Sequence, residues 1–194
     1  LSADGVRVTI TNETIRPREK KARIILAQAM LKDSKMDDLV SFMTEVGVDE
    51  WIPFFSSRSI PKPAPLKLSH RMDRWEKIAR QSLKQCRRST LLCIREPATF
   101  EGVLAAGRSC DVKFMFWEDE TRSLKKSAEF SDGIPPGSIL AIVGPEGGFA
   151  SEEVETARRQ GVVVMSLGPR ILRAETAGIA VGVLLQYIFG DMGR

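Results

Sequence analysis

This 194-residue chain has little of what most catalytic sites are built from. Its one histidine, His70, sits beside Ser69 at what reads as the start of a helix. A capping or surface role there argues against a histidine-based triad or a histidine-rich metal centre. Its three cysteines, Cys86, Cys93 and Cys110, are odd in number and follow no metal or redox spacing, which fits reduced thiols. The longest apolar stretch, Ile179 to Phe189, is broken by Gly182 and Gln186 and is too short to cross a bilayer. No basic-then-apolar leader opens the chain, so the expected location is the cytoplasm. No Gly-x-Gly-x-x-Gly turn follows the first strand, which argues against a nicotinamide-binding unit of the usual kind. There is no Gly-x-Ser-x-Gly elbow and no glycine loop ending in Lys-Ser/Thr, so serine hydrolysis and nucleoside triphosphate hydrolysis find no support.

What is present suits a globular protein: 43% hydrophobic and 28% charged residues, enough for one domain with its own core. The net charge of +4 says little, but its distribution says more. Arg71, Arg74, Lys77, Arg80, Lys84 and Arg87 recur at steps of three and four along one helix face. Met72, Trp75, Ala79, Leu83 and Cys86 line the opposite face. Such a stripe is either a solvated surface or a track for phosphates.

Strands and helices alternate from residue 22 onward. Strands are expected at 22–30, 50–55, 90–94, 112–117, 138–143 and 162–166. Helices are expected at 36–46, 69–88, from Thr99, weakly at 123–130, at 151–160 and at 175–189. Prolines 61, 63 and 65 place a loop before the basic helix. The alternation predicts an α/β fold, a mostly parallel sheet with helices on both faces. Residues 1–20 differ: Val6 to Ile10 alternates as a strand, and a polar run follows, resembling the last strand and linker of a preceding domain. The final helix has almost no polar face, so it is either buried in its own domain or covered by a second subunit.

Two late loops carry the functional signal. One is Gly144-Pro145-Glu146-Gly147-Gly148-Phe149; the other runs Leu167-Gly168-Pro169-Arg170-Ile171-Leu172-Arg173-Ala174-Glu175-Thr176-Ala177-Gly178. Each links a buried strand to a helix, so both should lie side by side at the carboxyl end of the sheet, where such folds bind ligands. Glycines there let main-chain groups approach a ligand closely.

These two segments together resemble the signature of the ribosomal small subunit methyltransferase E family, of the SPOUT class of knotted RNA methyltransferases. Lys35-Met36-Asp37, Thr44 to Val48, Ile52 to Ser59, Arg74-Trp75 and Gln85 to Arg88 agree in the same order. Lys84 and Ser57 depart from it, each standing where a glutamate is common. The resemblance implies a C-terminal trefoil knot, bound S-adenosylmethionine, a homodimer formed through the C-terminal helix, and a small PUA-like RNA-binding domain of which residues 1–20 are the tail, with residues 21–194 forming the methyltransferase domain. The implied reaction is methylation of uridine N3 in 16S ribosomal RNA, with no metal. Two other outcomes stay open: another RNA target or atom, such as a ribose 2′-hydroxyl, and a non-catalytic RNA-binding assembly factor.

On this reading Gly144, Pro145, Glu146, Gly147, Gly148, Leu167, Gly168, Pro169, Ile171 and Leu172 hold the cofactor, with Phe116 and Trp117 at the neighbouring strand end. Arg173 stabilises the charge that develops on uracil as its proton leaves. Glu175 is either the base or the group that orients Arg173, and Glu146 either touches the cofactor or supports the turn. Arg58, Arg74, Gln85 and Arg88 are the expected RNA contacts.

Overall fold

A computed structural model describes residues 22–60, 64–123 and 136–193. The expected strand at 6–10, the weak helix at 123–130 beyond its first residue, and prolines 61 and 63 lie outside these residues. The strands are β1 (Arg23–Ala29), β2 (Glu50–Phe55), β3 (Cys93–Ile94), β4 (Ala98–Thr99), β5 (Val112–Phe116), β6 (Ser138–Val143) and β7 (Val163–Met165). The helices are α1 (Lys35–Val46), α2 (Pro65–Cys86), α3 (Phe100–Ala106), α4 (Ser151–Arg159) and α5 (Ala174–Phe189).

All strand pairs are parallel, in the order β3-β2-β1-β6-β5-β7, with β4 also on β2. Alternate side chains of each strand point to opposite faces. Ile24 and Leu26 of β1 join a core with α1, α2 and α5, whereas Ile25 and Ala27 join a second core with α3 and α4. The sheet is therefore buried on both sides, which explains why its strands read as unbroken apolar runs.

Two boundaries move for local reasons. The basic helix starts at Pro65, whose fixed φ and missing N–H suit the first helical position, so that proline opens the helix instead of holding a loop. His70 consequently lies within the helix, exposed, and caps nothing. The expected strand at 90–94 shrinks to two residues at the sheet edge, with β4 following it. Elsewhere the punctuation works as expected. Gly47 (φ 95°) ends α1 in the left-handed region, and the Thr99 hydroxyl accepts from the Gly102 N–H to start α3.

The basic helix is bolted to α1 by a shared carboxylate. The Trp75 indole donates to Asp37 Oδ1 at 2.8 Å, and Arg74 Nε lies 2.8 Å from Asp37 Oδ2. Trp75 is buried edge-on against Trp51, with ring centroids 5.1 Å apart.

Candidate functional site

The strand ends nearest α5 are level. Val143 of β6 pairs with Gln28 of β1 on one side and with Phe116 of β5 on the other, and Phe116 pairs with Met165 of β7. The loops that follow therefore leave the sheet at one height. They are not immediate neighbours: β5 stands between β6 and β7, so its end becomes the floor between them. A cavity of about 940 Å³ opens there, within or near the range of small-molecule sites.

Its lining includes most of the expected cofactor residues. Phe116 and Trp117 form the floor, Gly144, Pro145, Glu146 and Gly148 one wall, and Leu167 to Leu172 the other, while Arg173 and Glu175 stand where α5 begins. Gly147 is the exception. Its carbonyl accepts from Arg58 Nη1 at 3.0 Å, and a Cβ there would lie 3.4 Å from Arg58 Cβ, so it faces the loop after β2. Gly148, at φ 66°, occupies the left-handed region, and a Cβ on it would run into the Glu118 carboxylate. Gly144 lies against the buried Phe149 ring, 3.1 Å from where its Cβ would be. The cradle is thus one that side chains would fill. Gly168, at φ 114°, has open space around it and needs glycine for its backbone alone.

Charge in the cavity is mixed. Glu118, Glu120, Glu146 and Glu175 line it together with Lys35, Arg170 and Arg173. The Glu120 carboxyl is held below the usual range, first by the backbone N–H groups of Arg122 and Thr121, against the cost of burial, and further by Arg158. Burial alone would push the Glu146 carboxyl up. Hydrogen bonds from its own backbone N–H, from the Lys32 N–H and from the Lys35 ammonium outweigh this and leave it lowered. Glu146 thus ties the glycine loop to the start of α1, accepting from Lys32 N and Lys35 Nζ at 3.1 Å each, while it also lines the cavity. Apolar walls with a few anionic groups suit a nucleoside that carries a sulfonium, so these residues fit S-adenosylmethionine.

Glu175 makes no ion pair or hydrogen bond with Arg173 among the described residues. Its Oε2 lies 3.2 Å from Lys35 Nζ, while Arg173, exposed at the cap of α5, makes no side-chain ion pair or hydrogen bond among the described residues.

The four expected RNA contacts divide. Gln85 is exposed on α2. Arg74 is exposed but carries the Asp37 ion pair, and Arg58 is committed to the Gly147 carbonyl. Arg88 is turned inward. Its side chain is only 13% exposed, with Nη1 donating to the Thr44 carbonyl at 3.2 Å and Nη2 3.8 Å from Asp49. It joins the end of α2 to α1, a correction to its expected place on the RNA face: α2 ends at Cys86, and Arg87 in the left-handed region turns the next residue back.

Sequence reasoning passed over Gln28 and noted Ser57 only as a departure from the family pattern. Gln28, fully buried in β1, donates from Nε2 to the Gly144 carbonyl; a lone polar residue in an apolar strand was the available signal. Ser57 donates its N–H and hydroxyl to Glu153, which also receives the Ala150 N–H, so the loop after β2 is pinned to the start of α4.

The family model described as an RNA methyltransferase domain matches residues 18–186. The ribosomal RNA small subunit methyltransferase E of Bacillus subtilis is 33% identical over 98% of this chain and 77% of that protein. The Buchnera aphidicola (Acyrthosiphon pisum) protein of the same name is 30% identical over 98% of this chain and 74% of its own length. Among solved structures, that of the Neisseria gonorrhoeae ribosomal RNA small subunit methyltransferase E bound to S-adenosylmethionine superposes with a TM-score of 0.77 at 28% identity, over 88% of this chain and 68% of that one. A Legionella pneumophila methyltransferase structure with the same cofactor gives 0.79 at 30% identity, over 87% and 67%. With the geometry and the sequence in agreement, this chain belongs to the ribosomal RNA small subunit methyltransferase E family of RNA methyltransferases.

Proposed function

We propose that the protein transfers a methyl group from S-adenosylmethionine to N3 of a specific uridine in 16S ribosomal RNA, as the family resemblance implies. The observation that supports methyl transfer most is the cavity at the level strand ends, walled by the two glycine-bearing loops and floored by Phe116 and Trp117. When bound, the cofactor supplies an activated methyl group on its sulfonium. The chain's own part is to hold donor and acceptor in line and to offset charge on the acceptor. Main-chain groups of Gly144, Pro145, Glu146, Gly148 and residues 167–172 grip the cofactor. Arg173, whose guanidinium no described side chain engages, offsets the negative charge left on uracil when the N3 proton departs.

The exposed basic residues of α2, with Gln85 and Arg74, form the track for the ribosomal RNA backbone. The C-terminal helix is the dimer surface on this reading: Tyr187 is 64% and Ile188 43% exposed, and Phe42 of α1, on which α5 packs, is exposed as well. Among the described residues no helix is long and apolar enough to cross a membrane. A ribosomal RNA substrate places the protein in the cytoplasm. The C-terminal knot belongs to the same reading, supported by the return of α5 from the β7 edge to pack on β1, β6 and α1.

Labelled cofactor, purified protein and small ribosomal subunits, followed by nucleoside mapping of the RNA, test the proposal. Label in 3-methyluridine is expected. Label in a ribose 2′-O-methyl group would transfer the assignment to another atom, and cofactor-independent subunit binding without label would make the protein an assembly factor.

A further inference from the structure

One side chain outside the glycine loops joins two segments of the cavity lining. Lys35, the first residue of α1, places Nζ 3.1 Å from Glu146 Oε1 and 3.2 Å from Glu175 Oε2. Glu146 belongs to the loop after β6 and Glu175 to the first turn of α5. The three side chains are each only about a quarter to a third exposed, and all line the cavity.

Lys35 is a poor choice for its own helix. A cation at a helix N-terminus opposes the macrodipole that Asp37 and Asp38 of the same turn complement, and the preceding Ser34 makes no side-chain cap. A residue that breaks a local rule without local gain marks a place where tertiary demands prevail. The demand here is visible: without the ammonium, Glu146 and Glu175 would be two anions on one cavity wall.

We propose that Lys35 is a positioning residue of the methyl-transfer site, its ammonium clamping Glu146 to Glu175 so that the first glycine loop and the start of α5 stay in register. The importance of that register for catalysis rests on the proposed function; the clamp itself does not. Glu175 then acts through Lys35, and Arg173 stays available for substrate.

Lys35→Met, Lys35→Arg and Glu146→Gln test the clamp. In cofactor-free protein, Lys35→Met should speed amide hydrogen exchange about tenfold in both 144–149 and 174–178, through the loss of one charge-assisted hydrogen bond and one ion pair. Its dissociation constant for S-adenosylmethionine should rise about tenfold, with Lys35→Arg restoring most of both effects. Glu146→Gln, which cuts one end, should loosen 144–149 alone. Unchanged exchange in either segment of Lys35→Met would overturn the proposal, as would an arginine variant no better than methionine. If Lys35→Met does not fold, a Glu146→Gln protein with wild-type exchange overturns it instead. A wild-type protein that methylates nothing, while Lys35→Met still loosens both segments, would sink the functional reading and leave the clamp standing.

Discussion

Gln28 and Gly144, 116 residues apart in sequence, are joined by a 3.0 Å hydrogen bond from the buried amide Nε2 to the glycine carbonyl. The centre of β1 thereby sets the height of the first glycine loop.

Replacing Gln28 by leucine should expose the worth of that bond. It strands a buried carbonyl, a loss of about 1–3 kcal/mol, and releases the loop. Denaturant unfolding should show the lower stability, and calorimetry a weakened affinity for S-adenosylmethionine.

Gly178 lets α5 approach β1. A Cβ there would lie 2.6 Å from Gln28 Oε1 and 3.2 Å from Leu39 Cδ2. Gly178→Ala should therefore push the helix outward and destabilise the fold by about 1–3 kcal/mol, the usual cost of overpacking. Gly168→Ala, with open space around it, should lose only the left-handed backbone preference, about 1–2 kcal/mol. Equal, negligible changes in melting temperature would contradict this account of α5.

Arg173→Ala separates binding from chemistry. If the guanidinium acts on the uracil, turnover should fall by about 10²–10³ while cofactor affinity stays nearly intact. Wild-type turnover in the variant would remove Arg173 from the reaction.

The Lys35–Glu146 contact has a pH signature. The hydrogen bond to Glu146 raises the Lys35 ammonium above its ordinary value, against the cost of burial, and Glu175 adds to the rise. Glu146 is lowered. Its share of stability is thus present above the ordinary glutamate value and lost as pH falls through its folded value. The lysine share is present below the ordinary lysine value and lost as pH rises through its raised one. Exchange protection of 144–149 should form a plateau between about pH 5 and pH 9, and Glu146→Gln should flatten its acid edge.

Much of this was legible from residue order. Apolar runs at 22–30, 50–55 and 138–143 became three of the interior strands because a doubly covered parallel strand needs side chains that tolerate burial on both faces. Gly144 to Gly148 and Leu167 to Glu175 stood out because few side chains fit where backbone must curve round a ligand, and the family resemblance gave them a chemistry. Arg88 was expected at the RNA face from the family resemblance, and only the left-handed turn at Arg87 reveals that it points inward.

Local pattern, then, determined most elements and the glycine loops, since each rests on the conformational preferences of a few consecutive residues, while the family came from a resemblance carried by motifs along most of the chain. The insertion of β5 between β6 and β7, the inward turn of Arg88, the strut from Gln28 and the pairing of Glu175 with Lys35 instead of Arg173 were decided by tertiary structure. Each depends on which distant segments pack together, and charge and hydrogen-bonding capacity in a sequence carry no address for their partners.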